Sequence, residues 1–156
     1  MRVFLGSDHA GFELKAHLLS ELAAAGHDVV DVGPAEYDGE DAYPPYCIET
    51  GRRVVAEPGT LGVVIGGSGN GEQISANKVA GCRAALAWNT ETAELARQHN
   101  DAQVVSIGAR MHTTDEATTI VTTFLATSFE GGRHQKRIDM LDEFERTGVP
   151  PELPQG

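Results

Sequence analysis

The sequence predicts an α/β domain built on a doubly wound sheet of five parallel strands. Short strand-like apolar runs alternate with helical patterns along the chain. The run Val63-Val64-Ile65 is fully apolar and β-branched, as a strand covered on both faces must be. Polar residues collect just after the first, third and fifth runs, beyond the strand C-termini, where such sheets bind ligands.

The first strand is expected over Val3–Ser7 and the first helix over Phe12–Ala25, where Leu14, Leu18, Leu19 and Leu22 share a face. Gly26 ends that helix. A strand at Asp28–Val32 precedes a polar loop running through Pro44–Pro45, then a helix over Tyr46–Ala56. Strand Leu61–Ile65 leads through a glycine-rich turn into helix Glu72–Val79. Strand Arg83–Trp88, helix Glu91–His99 and strand Gln103–Ile107 continue the alternation. Helix Asp115–Thr127, a Gly131-Gly132 break and a charged helix Arg133–Arg146 complete it. Residues 1–147 read as one domain, and 148–156, with three prolines, as a loose tail.

At 156 residues the chain is large enough for one full core, with ordinary apolar (40%) and charged (22%) fractions. A formal net charge of −11 argues against nucleic acid, which needs a positive footprint. The chain enters a strand at once and holds no apolar run of membrane-spanning length, so neither a leader nor a membrane anchor is expected. Cys47 and Cys82 are far apart and read as reduced, buried thiols of a cytoplasmic protein. The histidines lack the spacing of a metal site.

Leu61–Val79, LGVVIGGSGNGEQISANKV, is the most informative stretch. Four glycines fall within the six residues Gly66–Gly71, and the polar helix that follows begins with an acid. The glycine spacing suits a P-loop, but Glu72 and Gln73 stand where Lys and a hydroxyl belong, and a carboxylate there repels a triphosphate. The dinucleotide pattern fails at its third glycine, and the next strand is followed by Asn89 and Thr90 rather than a ribose-binding acid. Proton transfer fits better. The turn's N–H groups form an oxyanion site with Glu72 at its edge as a candidate base. As Glu72 gains a carbon-bound proton, negative charge moves to a substrate oxygen facing those N–H groups, so the site's net charge is unchanged. The competing assignment is a first-turn acid that only complements the helix dipole.

Three other groups stand out. Asp8-His9 follows the first strand; Asp8 suits a helix N-cap, but capping gives His9 no purpose. Arg133 and Arg137 share a helix face at the positive end of its dipole, where a bound phosphate would relieve them; a solvated charged face is the alternative. With Arg110 beyond the fifth strand, they point to a small phosphorylated substrate. His99 and Asn100 lie between a helix and the next strand, at the opposite end of the sheet. His99 there either serves a neighbouring subunit's site or is an ordinary helix C-terminal cation.

The segments GSDHAGFELK (6–15), YDGEDAYP (37–44), GGSGNGEQISANKV (66–79), ARQHNDAQVVSIGARM (96–111) and RHQKRIDML (133–141) closely resemble the ribose-5-phosphate isomerase B family, which includes galactose- and allose-6-phosphate isomerases. The resemblance implies a flavodoxin-like five-stranded sheet and cofactor-free aldose–ketose isomerisation through an enediolate. It also implies a homodimer with shared active sites, or a tetramer of such dimers. Carried over by position, Asp8 and His9 would contact the phosphate or sugar hydroxyls, and Gly67, Ser68, Gly69, Asn70 and Gly71 would form the anion hole. His99 would assist ring opening, Asn100 would hold the sugar, and Arg110, Arg133 and Arg137 would bind phosphate or sugar. Many members carry a catalytic cysteine at the position of Gly66; this chain resembles the branch in which Glu72 is the base. The implied reaction interconverts ribose 5-phosphate and ribulose 5-phosphate. A four- or six-carbon aldose phosphate, or a non-catalytic phosphosugar-binding module, are the alternatives.

Overall fold

A computed structural model describes residues 1–154. Five strands, β1 (Arg2–Ser7), β2 (Asp28–Gly33), β3 (Leu61–Gly66), β4 (Ala84–Leu86) and β5 (Val104–Gly108), form one all-parallel sheet in the order β2-β1-β3-β5-β4. The doubly wound class is as expected. Relative to the flavodoxin order, the last two strands are exchanged, which puts β4 at the edge and β5 inside. All of β3 and β5 is buried, whereas the edge strand β2 is not.

Six α-helices cover the sheet: α1 (Phe12–Ala24), α2 (Tyr43–Ala56), α3 (Asn70–Asn77), α4 (Thr90–Asn100), α5 (Thr114–Ala126) and α6 (Arg133–Thr147). Leu14, Leu18 and Leu22 of α1 pack with Ala93 of α4 and Val121 and Phe124 of α5 on one face. Cys47 and Val54 of α2 pack with Ala76 of α3 on the other. The chain leaves β1 for one face and β3 for the other, and these strands are neighbours. Between their C-terminal ends lies the crevice where doubly wound sheets bind ligands.

Several boundaries differ from expectation. Pro44 and Pro45 lie in the first turn of α2 rather than in a loop, because prolines are tolerated where helical N–H groups have no partner. Helix α3 starts at Asn70, which moves Glu72 to its third position, and β4 keeps only three residues of the expected six. Gly148, left-handed at φ 70°, caps α6, and residues 149–154 form no helix or strand. Gln155 and Gly156 of the expected tail lie outside the described residues. No described helix is long and apolar enough to cross a membrane.

Candidate active site

The loops after β1, β3 and β5 meet around an open pocket of about 450 Å³ lined by Asp8, His9, Ser68, Glu72, Arg110 and Tyr43, among others. After β1 the chain enters a single 3-10 turn, His9–Gly11, capped by Asp8, whose carboxylate accepts from the Ala10 N–H at 3.0 Å. Asp8 therefore caps and lines the pocket at once. After β3, Gly69 adopts φ 84°, a left-handed conformation that favours glycine, and turns the chain into α3. The Gln73 N–H donates to the Gly69 carbonyl at 3.0 Å, the Asn70 N–H donates to Ser68 Oγ at 3.3 Å, and the N–H groups of Gly69 and Glu72 face the Glu72 carboxyl. Ser106 of β5 donates its buried hydroxyl to the Gly69 carbonyl at 2.6 Å. The N–H groups of Ala109 and Arg110 donate to the carbonyls of Gly66 and Gly67 at 2.7 and 3.1 Å. Strand β5 thus holds the glycine turn in place.

Glu72 is only 4% exposed, and its Oε2 is buried with no hydrogen-bond partner among the described residues. Burial pushes its carboxyl above the usual range, and the charge of Asp8 adds to this; the N–H groups of Glu72 and Gly69 oppose it. A carboxyl shifted this way is closer to the neutral pKa that suits a general base. Its position depends on Gly66. A Cβ built there would lie 1.8 Å from Glu72 Oε1 and 2.2 Å from Cδ. The carboxyl fills the space that any side chain at residue 66 would need. Cys47 and Cys82 are both buried free thiols, and burial raises the pKa of each, Cys82 to about 11.

The remaining candidates lie elsewhere. His99 and Asn100 end α4, just ahead of β5, at the N-terminal edge of the sheet. The His99 ring stacks on His134 of α6, with centroids 4.1 Å apart and planes 12° apart. Arg133 and Arg137 are exposed on that same helix, and Arg137 Nη1 lies 3.4 Å from His134 Nδ1. The expected grouping of Arg110 with Arg133 and Arg137 therefore does not occur within one chain. Arg110 stands at the C-terminal edge of the sheet and the other two at the opposite edge, because α6 follows a full crossover.

Folding also assembles a potential ligand cluster that linear spacing concealed. His99, Glu130 and His134 bring ligand atoms within 4.8 Å of one another. Nearly parallel rings direct their lone pairs side by side rather than at one point, and Arg133 and Arg137 add positive charge. The cluster is a poor cage for a cation. A larger concavity, about 1020 Å³, is also at the N-terminal edge of the sheet. Its residues Arg97 and Asp101 pair with each other at 2.9 Å. Residue patterns alone missed Tyr43, Ser106 and Asp41, although Tyr43 and Asp41 lie in the YDGEDAYP segment.

A buried carboxyl beside a glycine-rich turn is suited to moving a proton. The sequence profile of the ribose/galactose isomerases matches residues 3–141. The chain belongs to the ribose/galactose isomerase family. It is 57% identical to ribose-5-phosphate isomerase B of Mycobacterium leprae, over 99% of this chain and 96% of that one. Identity to the Escherichia coli ribose-5-phosphate isomerase B is 36%, over 93% and 97% of the two chains. Among solved family structures, ribose-5-phosphate isomerase B from Mycoplasma genitalium with bound ribulose-5-phosphate superposes with a TM-score of 0.91. That match has 40% identity and covers 94% of this chain and 97% of the other. The Clostridium thermocellum ribose-5-phosphate isomerase B also reaches 0.91, at 36% identity and 96% and 100% coverage.

Proposed function

We propose that this chain is a ribose-5-phosphate isomerase that interconverts ribose 5-phosphate and ribulose 5-phosphate through an enediolate. The observation that carries this is the Glu72 carboxyl, buried with one unpartnered oxygen beside the N–H groups of the glycine turn. In the open-chain aldose, Glu72 takes the proton from C2. The C–H electron pair forms the C1–C2 double bond, and the C1 oxygen takes the negative charge and faces the N–H groups of Gly67–Gly71. Returning the proton to C1, while the C2 hydroxyl gives up its own and the C1 oxygen gains one, yields the ketose. Glu72 carries the carbon-bound proton, the turn faces the negative charge, and the proton that leaves the C2 hydroxyl is the one the C1 oxygen gains, so the reaction needs neither metal nor nucleotide.

The site is completed by a second copy of the chain in a homodimer. His99 of that copy opens the furanose ring, its Asn100 holds the sugar, and its Arg133 and Arg137 bind the phosphate. Asp8, His9, Ser68, Asn70 and Arg110 contact the sugar or phosphate from the Glu72 side. This division explains why the candidates occupy opposite edges of one sheet. The isomerase domain spans residues 1–147, the 148–156 tail takes no part in chemistry, and the enzyme works in the cytoplasm. The test is a panel of four-, five- and six-carbon aldose phosphates with purified protein. Preference for ribose 5-phosphate is expected. Preference for another chain length reassigns the substrate, and inactivity on all of them leaves a phosphosugar-binding module.

A further inference from the structure

Asp41 holds His9 in a way that neither capping nor packing requires. It lies in the loop ahead of α2, 32 residues along the chain from His9. Its Oδ1 is 2.8 Å from the His9 backbone nitrogen and 2.9 Å from the ring Nδ1. The Asp41 side chain is 7% exposed, and its Oδ2 is buried without a partner among the described residues. A carboxylate taken this far out of water is costly unless a donor or cation answers it. The loop itself is fastened independently. Buried Lys15 donates to the Pro34 carbonyl at 2.8 Å and pairs with Asp31, and the Tyr37 ring packs edge-on against Phe12. Holding the loop therefore does not require Asp41 to face an imidazole.

We propose that Asp41 is a positioning residue for His9: by accepting both its N–H groups on one oxygen, it fixes Nδ1 as protonated and leaves Nε2 to meet the substrate's phosphate as a charged donor. This rests on reading the Glu72 pocket as a sugar-phosphate site. The surroundings favour the cationic ring. The hydrogen bond from His9 to Asp41 is the leading cause that raises the His9 pKa; partial burial opposes it, and the charge of Asp8 supports it. The groups facing His9 are Asp8 on its own turn, Asp41 and Tyr37 from the loop, Tyr46 of α2 behind Asp41, Glu72 of α3, and Arg110 after β5. Three of the six are carboxylates and Arg110 is the one cation among them. A charge-assisted donor binds phosphate more strongly than a neutral one, so the arrangement acts on binding.

The experiment follows the ring nitrogens of His9 by nitrogen-15 NMR in the full-length protein, with His9→Asn used for assignment. In the wild type, Nδ1 should stay protonated, His9 should titrate above the ordinary imidazole range, and inorganic phosphate should shift the Nε2 resonance. Asp41→Asn keeps an accepting oxygen but loses the charge. It should lower the titration midpoint by about one unit or more, and raise KM for ribose 5-phosphate by about tenfold at pH 8 with kcat changed far less. A wild-type His9 that titrates at or below the ordinary range overturns the proposal, as does a KM–pH profile identical in the two proteins. If Asp41→Asn fails to fold, the wild-type titration decides alone. The NMR measurements need no sugar. A protein that isomerises no aldose phosphate but shows the His9 behaviour above refutes the proposed activity and not the Asp41–His9 arrangement.

Discussion

Gly66→Ala tests the proposed base without touching it. The added Cβ would lie 1.8 Å from Glu72 Oε1, 2.2 Å from Cδ and 2.9 Å from Cγ, and these are its three nearest neighbours. Real Cβ contacts essentially never fall below 3.0 Å, so the carboxyl oxygen must retreat by 3.0 − 1.8, about 1.2 Å. All three atoms belong to one side chain, so rotating that side chain relieves the clash without moving backbone. The stability change should stay within about 1 kcal/mol, since Gly→Ala also reduces the freedom of the unfolded chain. Turnover is more sensitive. A misplacement of about 1 Å in a catalytic group can cost about 10²-fold, or about 2.7 kcal/mol in the barrier. Steady-state kinetics on ribose 5-phosphate and a thermal melt should therefore separate, with kcat falling by about that factor while Tm barely moves. In a Glu72→Gln background the same substitution should cost almost nothing further, since there is no longer a base to displace. Wild-type kcat in Gly66→Ala would refute the reasoning, and so would an equal penalty in both backgrounds.

Five further outcomes are expected. Glu72→Gln should cut turnover at least about 10²-fold and abolish exchange of the substrate's carbon-bound proton with solvent deuterium, while Ser68→Ala is milder. Because burial raises the Glu72 pKa, the acid limb of kcat/KM should lie above the ordinary glutamate range. The same shift means the folded protein holds this proton more tightly than the unfolded chain, so the stabilisation is complete at low pH and lost as pH rises through the folded pKa; Glu72→Gln should melt higher than wild type at neutral pH, with the gap closing on acidification. Arg133→Ala or Arg137→Ala should raise KM about ten- to a hundredfold, the worth of a charge-assisted hydrogen bond, and an unchanged KM would return the pair to a solvated face. His99→Asn should slow turnover of the cyclic aldose phosphate more than exchange on the open-chain ketose, and mixing it with a Glu72 variant should restore activity once subunits exchange; no recovery after demonstrated exchange would defeat the shared-site assignment.

The alternation of elements, the buried β3 run and the polar residues at strand ends were legible because each is a local pattern. The start of α2 was not, since a Pro-Pro pair reads as a loop until the free N–H groups of a helix start are considered. The length of β4 depends on its neighbour: an edge strand keeps only the residues that pair with β5. The closest relationships in the site were beyond any one-dimensional reading. Gly66 looks like one more turn glycine until the Glu72 carboxyl is found in the space its side chain would fill. The His99–His134 stack and the Asp41–His9 contact join residues 35 and 32 positions apart by number, brought together by crossovers whose strand order the sequence pattern did not specify.

The ties between β5 and the glycine turn bear on how this site works over time. Loops at functional sites commonly open and close, and their amides commonly exchange quickly with solvent. Here the carbonyls of Gly66, Gly67 and Gly69 are each bonded to a donor on β5 or its immediate exit, one of them a buried hydroxyl. The glycine turn is therefore part of the sheet in mechanical terms, and in its proposed role as the oxyanion site little reorganisation would remain to be done as charge develops against it. The amides of Ala109 and Arg110 should be among the slow exchangers although they lie outside any strand, and substrate should leave their protection nearly unchanged. In the proposed shared site, motion that gates turnover would then belong to the groups contributed by the second copy.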